Sequence, residues 1–281
     1  MPLTIRPKID NDKVPIEAEV LCPNELAGKT VDQICQLTVH HGNRQRTIGE
    51  CFDVHGDASD GQLVLEGDFA RVKCIGQSMR SGNIIVRGRA GMHLGAEMRG
   101  GSIDVHGDAG DWIGAEMRAG FIHICGNAGH LVGGSYRGSL SGMRGGTIVV
   151  EGSSGNEVGC GMRRGFIAVA GSVGDFAGFN MIAGTILVAG GFGIRTGAGM
   201  RRGSIVAVGE EKDRPALLPT FRYNCVYLPQ FLTIYFRQLL AWDFPLPPTV
   251  VGGQFHRYSG DLVALGKGEI LIRKERGTRT E

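Results

Sequence analysis

Residues 101–119 read GSIDVHGDAGDWIGAEMRA, and the pattern returns at a fixed step along much of the chain. Between Gly101 and Gly107, Ile103 and Val105 alternate with Ser102, Asp104 and His106. Alternation at period two is the mark of a strand with one apolar face. The apolar pair recurs as Ile84/Val86, Ile122/Ile124, Ile148/Val150, Ile167/Val169 and Ile186/Val188. Methionines follow at Met79, Met98, Met117, Met143, Met162, Met181 and Met200, in steps of 19, 19, 26, 19, 19 and 19. Glycines keep the same phase at Gly82, Gly101, Gly120, Gly146, Gly165, Gly184 and Gly203, with a second column from Gly88 to Gly190.

Nineteen residues are too few for a pair of packed helices, and they suit one coil of a three-sided solenoid. The pattern predicts an all-β, right-handed parallel β-helix of 19-residue coils, each strand stacked roughly 4.8 Å from the last. A second apolar step at Leu94, Ile113, Val132, Val158 and Ala177 forms another side, and the methionines begin the third. The glycines are expected at corners, and the methionines as core filler. CFDVHG (51–56) and GQLVLEG (61–67) read as less regular coils ahead of the seven around the methionines. The long step from Met117 to Met143 carries seven extra residues, which map to a loop around GGSYRGSLSG (133–142).

Three segments follow: an N-terminal arm over 1–50, the repeat over 51–209, and a C-terminal cap over 210–281. The arm holds a short helix near Thr30 to Leu37. The charged stretch EEKDRP ends the repeat, and Gln230 to Trp242 in the cap segment reads as an amphipathic helix, a cap or a flank of the solenoid, too short for a bilayer. Raw strand edges at either end of a stack invite aggregation, so covers are expected there. The middle outward position of the main strand runs Ile85, Asp104, His123, Val149, Ala168, Leu187, Val206. The last four are apolar, so either the C-terminal segment or a partner must cover them.

Composition narrows the function classes. Glycine stands at 47 of 281 residues, against an average usage of roughly 7 per cent. There is no collagen period. Net charge is +2, which points neither to nucleic acid nor to an anionic membrane. The seven cysteines are odd in number and form no CxxC pair, which argues for a reducing cytoplasm and against a local zinc or iron–sulfur site. No apolar run of about 20 residues suggests a membrane span, and MPLTIRPKIDNDKVP holds no secretory signal. Arginine outnumbers lysine 23 to 7, a composition that leans toward a GC-rich bacterial source.

Candidate chemistry is sparse. The histidines, among them His106 and His123 one coil apart, lie on different columns, and no carboxylate or cysteine recurs at metal-ligand spacing. No GxSxG, Walker or HExxH pattern is present. The expectation is therefore no catalytic residue, no cofactor-binding residue and no metal on this chain. Arg80, Arg99, Arg118, Arg144, Arg163 and Arg201 each follow a methionine, while Ile182 breaks the row. Stacked like charges repel; Glu97 and Glu116 are placed to relieve two of them. Two readings stay open for this row: solvated charge, or a surface for an acidic partner or anion.

The GxIxVxG…G…MxxG coil resembles the GXGXG solenoid shared by the C-terminal domain of glutamate synthase large subunits and by the C subunit of formylmethanofuran dehydrogenase. VPIEAEVLCPNELAGKTVDQI (14–34), HGNRQRTIGECFDVHG (41–56) and YSGDLVALGKGEILIRK (258–274) resemble the arms of the latter. That resemblance covers nearly the whole chain. It implies a non-catalytic structural subunit of a hetero-oligomeric one-carbon complex. In bacteria the family implies a formyltransferase/hydrolase, in which other subunits move a formyl group from tetrahydromethanopterin to a methanofuran-type carrier and release formate. The archaeal counterpart reduces CO2 with a molybdenum or tungsten pterin. Carrier and metals are expected on partner subunits. A binding surface for an anionic polyglutamate carrier tail is the competing reading. Secreted pectin-lyase-like β-helix enzymes carry an acidic cluster that this repeat lacks.

Overall fold

Period-two alternation at a 19-residue step, lengthened once to 26, lets each strand pair with the next. The computed structural model describes residues 2–8 and 14–274. Strands Asn83–Arg87, Arg99–Val105, Ala119–Ile124, Arg144–Val150, Arg164–Val169, Thr185–Val188 and Arg202–Ala207 lie side by side, all parallel, within a sheet of 13 strands. Ile84, Ile103, Ile122, Ile148, Ile167, Ile186 and Ile205 stand opposite one another as successive rungs, all fully buried. Val86, Val105, Ile124, Val150, Val169, Val188 and Ala207 form the parallel rungs two residues on.

The repeats also touch away from this sheet. Phe69, Ala90, Ala109, Ala128, Ser154, Val173 and Phe192 form a second run of parallel bridges. A third column of backbone bonds links Gly95 N–H to the Ile75 carbonyl, Gly114 to Leu94, Gly133 to Ile113, Gly159 to Val132 and Gly178 to Val158, each at 2.8 Å. The seven methionines of the repeat are all fully buried in the shared core, as their phase predicts.

One glycine column is required twice over. Gly101 has φ +80°, and a Cβ there would lie 2.6 Å from the Gly82 carbonyl oxygen and 2.7 Å from Met79 Cε. Neither the backbone angle nor the space admits a side chain. Other corners depart from expectation. His93, Trp112, Leu131, Glu157, Phe176 and Arg195 occupy one left-handed corner with φ between +57° and +63°, without a glycine among them.

The flanking segments extend the stack. Leu3–Pro7 pairs parallel with Gln62–Glu66 and antiparallel with Phe52–His55, so the chain's start forms a rung of the sheet. At the other end Lys267–Arg273 pairs parallel with Arg202–Ala207, Ile270 facing Ile205. Antiparallel strands Phe255–Gly260 and Arg222–Tyr227 then finish that edge. The short N-terminal helix is present as Val31–Cys35, held by a reciprocal Thr30–Gln33 capping box.

Of the two positions expected for the C-terminal helix, cap or flank, it takes the flank. Helix Leu232–Ala241 lies against the outward face of the sheet, and strands cover the end instead. Its Leu232, Phe236 and Leu239, with Phe244, Leu246 and Val250, bury the strip of Val149, Ala168, Leu187 and Val206. Tyr235 stacks on Phe166 at 4.3 Å between ring centroids. Six or more apolar side chains with one common face to hide dictate this flank position. The strip is thus covered from within the chain.

Ile167 and Ala168, adjacent and both fully buried, face different cores. Ile167→Asp places an unpaired carboxylate in the inner core, at a cost on the order of 4 kcal/mol or more. It should abolish soluble expression. Ala168→Asp should leave the stacked repeats intact but release the helix. Limited proteolysis, with cleavage confined to residues after 208, checks the second outcome.

Candidate functional site

The arginine row is placed by backbone pairing. The N–H groups of Arg99, Arg118, Arg144, Arg163 and Arg201 donate to the methionine carbonyl one repeat earlier, at 2.6–2.8 Å. Arg80 N–H donates instead to Asn24 Oδ1 at 2.8 Å. The six side chains are exposed. None forms an ion pair among the described residues, whereas Arg6 and Arg87 both reach Glu66, Arg89 reaches Asp68 and Arg257 reaches Glu269. The expected relief by Glu97 and Glu116 does not occur. Glu116 instead accepts from the Tyr136 N–H at 3.3 Å. Both glutamates sit at left-handed corners, and their charges act on Tyr136 of the inserted loop.

That loop borders the row. Between Arg163 and Arg201, Ile182 replaces the charge, and there a hollow of about 480 Å³ opens. Arg163, Arg201, Asn180 and Cys160 line it from the repeats; Ser135, Ser139, Leu140 and Ser141 line it from the loop. Burial pushes the Cys160 thiol up to about 11, so it stays protonated at neutral pH. Leu140 projects from the loop with 93% of its surface exposed. The loop is tied down at Tyr136, whose hydroxyl lies 3.0 Å from His93 Nδ1. His93 in turn stacks on Trp112. Burial raises Tyr136 to about 12 and lowers His93 below 6.5, so a protonated phenol donates to a neutral imidazole.

A second constellation lies on the outward face of three adjacent strands. Register sets Asp104 opposite His123, and His123 opposite Val149. His123 Nδ1 lies 2.9 Å from Asp104 Oδ1, and its Nε2 lies 2.9 Å from Glu151 Oε1. His106 Nε2 holds the other Asp104 oxygen at 2.9 Å. Cys125, exposed, follows His123 on the same face, and burial together with Glu151 and Asp104 raises its thiol. Donor atoms of Asp104, His123 and Cys125 all lie within 4.8 Å of one another.

No family model matches the chain. Among curated relatives, it is 40% identical over 98 residues to the C subunit of the tungsten-containing formylmethanofuran dehydrogenase 2 of Methanothermobacter wolfeii, covering 34% of this chain and 36% of that one. It is 42% identical over 96 residues to the C subunit of the molybdenum-containing formylmethanofuran dehydrogenase 1 of Methanothermobacter marburgensis, covering 34% and 24%. The matched stretch thus spans about a third or less of those relatives. A solved structure matches throughout: a chain of the formyltransferase/hydrolase complex (FhcABCD) from Methylorubrum extorquens in complex with methylofuran is 35% identical. That match covers 97% of this chain and 100% of the other, with a TM-score of 0.87. The chain belongs to the C-subunit family of formylmethanofuran dehydrogenases.

In this family member, sequence reasoning located the arginine row but not the hollow, which needs the loop folded back beside Ile182. It also missed the Asp104, His106, His123, Cys125 and Glu151 patch. His106 and His123 do lie on different columns, and the patch forms no linear motif, because its members meet across strands 19 and 28 positions apart. A grid drawn at the repeat period would have found them.

Tyr136→Phe should cost roughly 0.5–1.5 kcal/mol, the worth of one hydrogen bond, and leave the stack intact by circular dichroism. The contact needs neutral His93, whose pKa is lowered in the fold. Its contribution is therefore present above pH 6.5 and lost as pH falls through that lowered value. Acidification should speed proteolysis of the loop in the wild type, with little further change in Tyr136→Phe.

Proposed function

We propose that the chain is a non-catalytic structural subunit of a formyltransferase/hydrolase complex that handles formylmethanofuran-type carriers. The observation that carries this reading is the full-length likeness to a chain of such a complex. On this reading the three columns of parallel backbone contacts are the sides of a right-handed parallel β-helix, flanked by an N-terminal arm over 1–50 and a C-terminal segment over 210–281. A rod of stacked repeats is stiff, and it offers long straight faces to larger partners. Formyl transfer, hydrolysis and the metals they use then belong to the partner subunits. Seven free cysteines suit a reducing cytoplasm. No described helix is long and apolar enough to cross a membrane.

The arginine row is the docking face of this proposal. Six guanidinium groups without carboxylate partners among the described residues gain little in isolation and gain most against an acidic surface. Leu140 beside the row, and Val263 with 81% of its surface exposed in the C-terminal segment, supply apolar anchors of the kind interfaces bury. The hollow between Arg163 and Arg201 supports a second reading, in which the row receives an anionic, glutamate-rich carrier tail. A CO2-reducing, molybdenum- or tungsten-containing complex is the alternative setting for this subunit. The shorter matches to the methanogen proteins support it less than the full-length one supports the hydrolase.

Charge reversal at Arg99, Arg118 and Arg163 together should leave the circular dichroism of the isolated protein unchanged. Its assembly with partner subunits should weaken at least about tenfold, and the wild-type interaction should weaken as salt rises. Assembly untouched by reversal and by salt would return the row to solvated charge. The scaffold reading itself fails if the purified chain alone turns over a formylated carrier.

A further inference from the structure

Five side chains of metal-binding type share one small area of the outward face, apart from the arginine row and its hollow. Asp104 and His106 stand on or just beyond one strand, His123 and Cys125 on or just beyond the next, and Glu151 just beyond the third. Only Val149 interrupts this grid. In-register parallel pairing fixes the three strands, so the donors are held together without a loop having to order.

We propose that Asp104, His123 and Cys125 bind a divalent transition-metal ion of the zinc class, with Glu151 holding the second ring nitrogen of His123. The three donor atoms already lie within 4.8 Å of one another. Tetrahedral zinc, with bonds of about 2.0–2.3 Å, needs donors roughly 3.3–3.8 Å apart. Small side-chain rotations suffice: the Asp104–His123 pair, now at 2.9 Å, opens slightly as the ion replaces their hydrogen bond, and exposed Cys125 swings toward them.

The donor set favours this class of ion. Thiolate and imidazole prefer zinc over the hard cations magnesium and calcium, and one thiolate with one carboxylate balances a divalent charge. His123 already faces a carboxylate from each ring nitrogen. When one nitrogen turns to the metal, the other keeps its carboxylate, which sets the tautomer and the ring's orientation. His106, held on the second Asp104 oxygen, stands at the edge of the site as the fourth ligand or beside a water in that position. The ion would clasp neighbouring repeats where the face passes under Trp242, which packs 4.8 Å from Phe121.

The test uses the full chain, stripped with a chelator and titrated with Co²⁺ and then Zn²⁺. A single equivalent of cobalt should produce a thiolate-to-cobalt charge-transfer band, and zinc should bleach it. Cys125→Ser should abolish the band. Glu151→Gln should keep it but weaken affinity by about 10–100-fold, as expected of a residue that orients a ligand. Zinc should also protect Cys125 from alkylation, mapped by peptide mass spectrometry; the other six cysteines are buried or half-buried. Absence of the band, its survival in Cys125→Ser, or Cys125 alkylated equally fast with and without zinc would each overturn the proposal. None of these readouts depends on assembly or formyl transfer, so they stand or fall apart from the structural-subunit reading.

Discussion

In-register parallel pairing at a 19-residue period is the constraint on which the rest of this structure depends. Once Ile103 faces Ile84 and Ile122, Ser102, Asp104 and Val105 face their own equivalents as well, and the register shifts only ahead of them, where Arg99 meets Ala119. Position within the repeat then decides environment: isoleucine, valine and methionine inward, arginine on an exposed ridge, glycine where the neighbouring backbone comes within 3 Å of a would-be Cβ. The same constraint explains the tolerance for the one long step. Backbone pairing resumes on both sides of the insertion, with Gly133 bonded to Ile113 and Arg144 to Met117. The extra residues are left outside the stack, where loop length costs little.

The register also copies hydrogen bonds, not only apolar rungs. Asp108 accepts from the N–H of Asn127, Asn127 from Ser153, Ser153 from Ser172, and Ser172 from Gly191. A second ladder runs from Asp111 through His130, Asn156 and Asp175 to Ile194. Each side chain caps a backbone donor that the turn geometry leaves free, one repeat further on. Short acceptors do this well, and Asp, Asn and Ser interchange freely in such a role. This is why the repeat tolerates variation there and not at Gly101.

What could be read from the sequence divides along the same line. Inward residues announce themselves, because burial permits few residue types; hence the isoleucine rungs and the methionine column were legible in advance. The left-handed corner at His93, Trp112 and Leu131 was not, since a stacked corner is held by its neighbours' hydrogen bonds and needs no glycine. The rung at Lys267–Arg273 was hidden for a different reason. Gly268, Ile270 and Ile272 repeat the strand pattern, but some 60 residues of other structure separate them from the last regular strand. The candidate site fared worse than the fold. A row of one residue type shows in a linear reading, whereas Asp104, His123 and Glu151 become neighbours only when the repeats are laid side by side.

The outward face of the sheet is consequently not uniform, and the differences follow from what each column can do for itself. Where the column is apolar, from Val149 to Val206, the chain's own helix covers it. Where it is acid and imidazole, at Asp104, His123 and Glu151, neighbouring repeats satisfy one another. The arginine row is the column that neither solution serves: like charges recur one strand apart, and the nearby Glu116 is engaged by the loop. Repetition supplies such a row at a small cost per charge, and nothing within the described residues offsets it. An uncompensated cost repeated six times on one ridge is the physical reason to look for its counter-charge in another molecule.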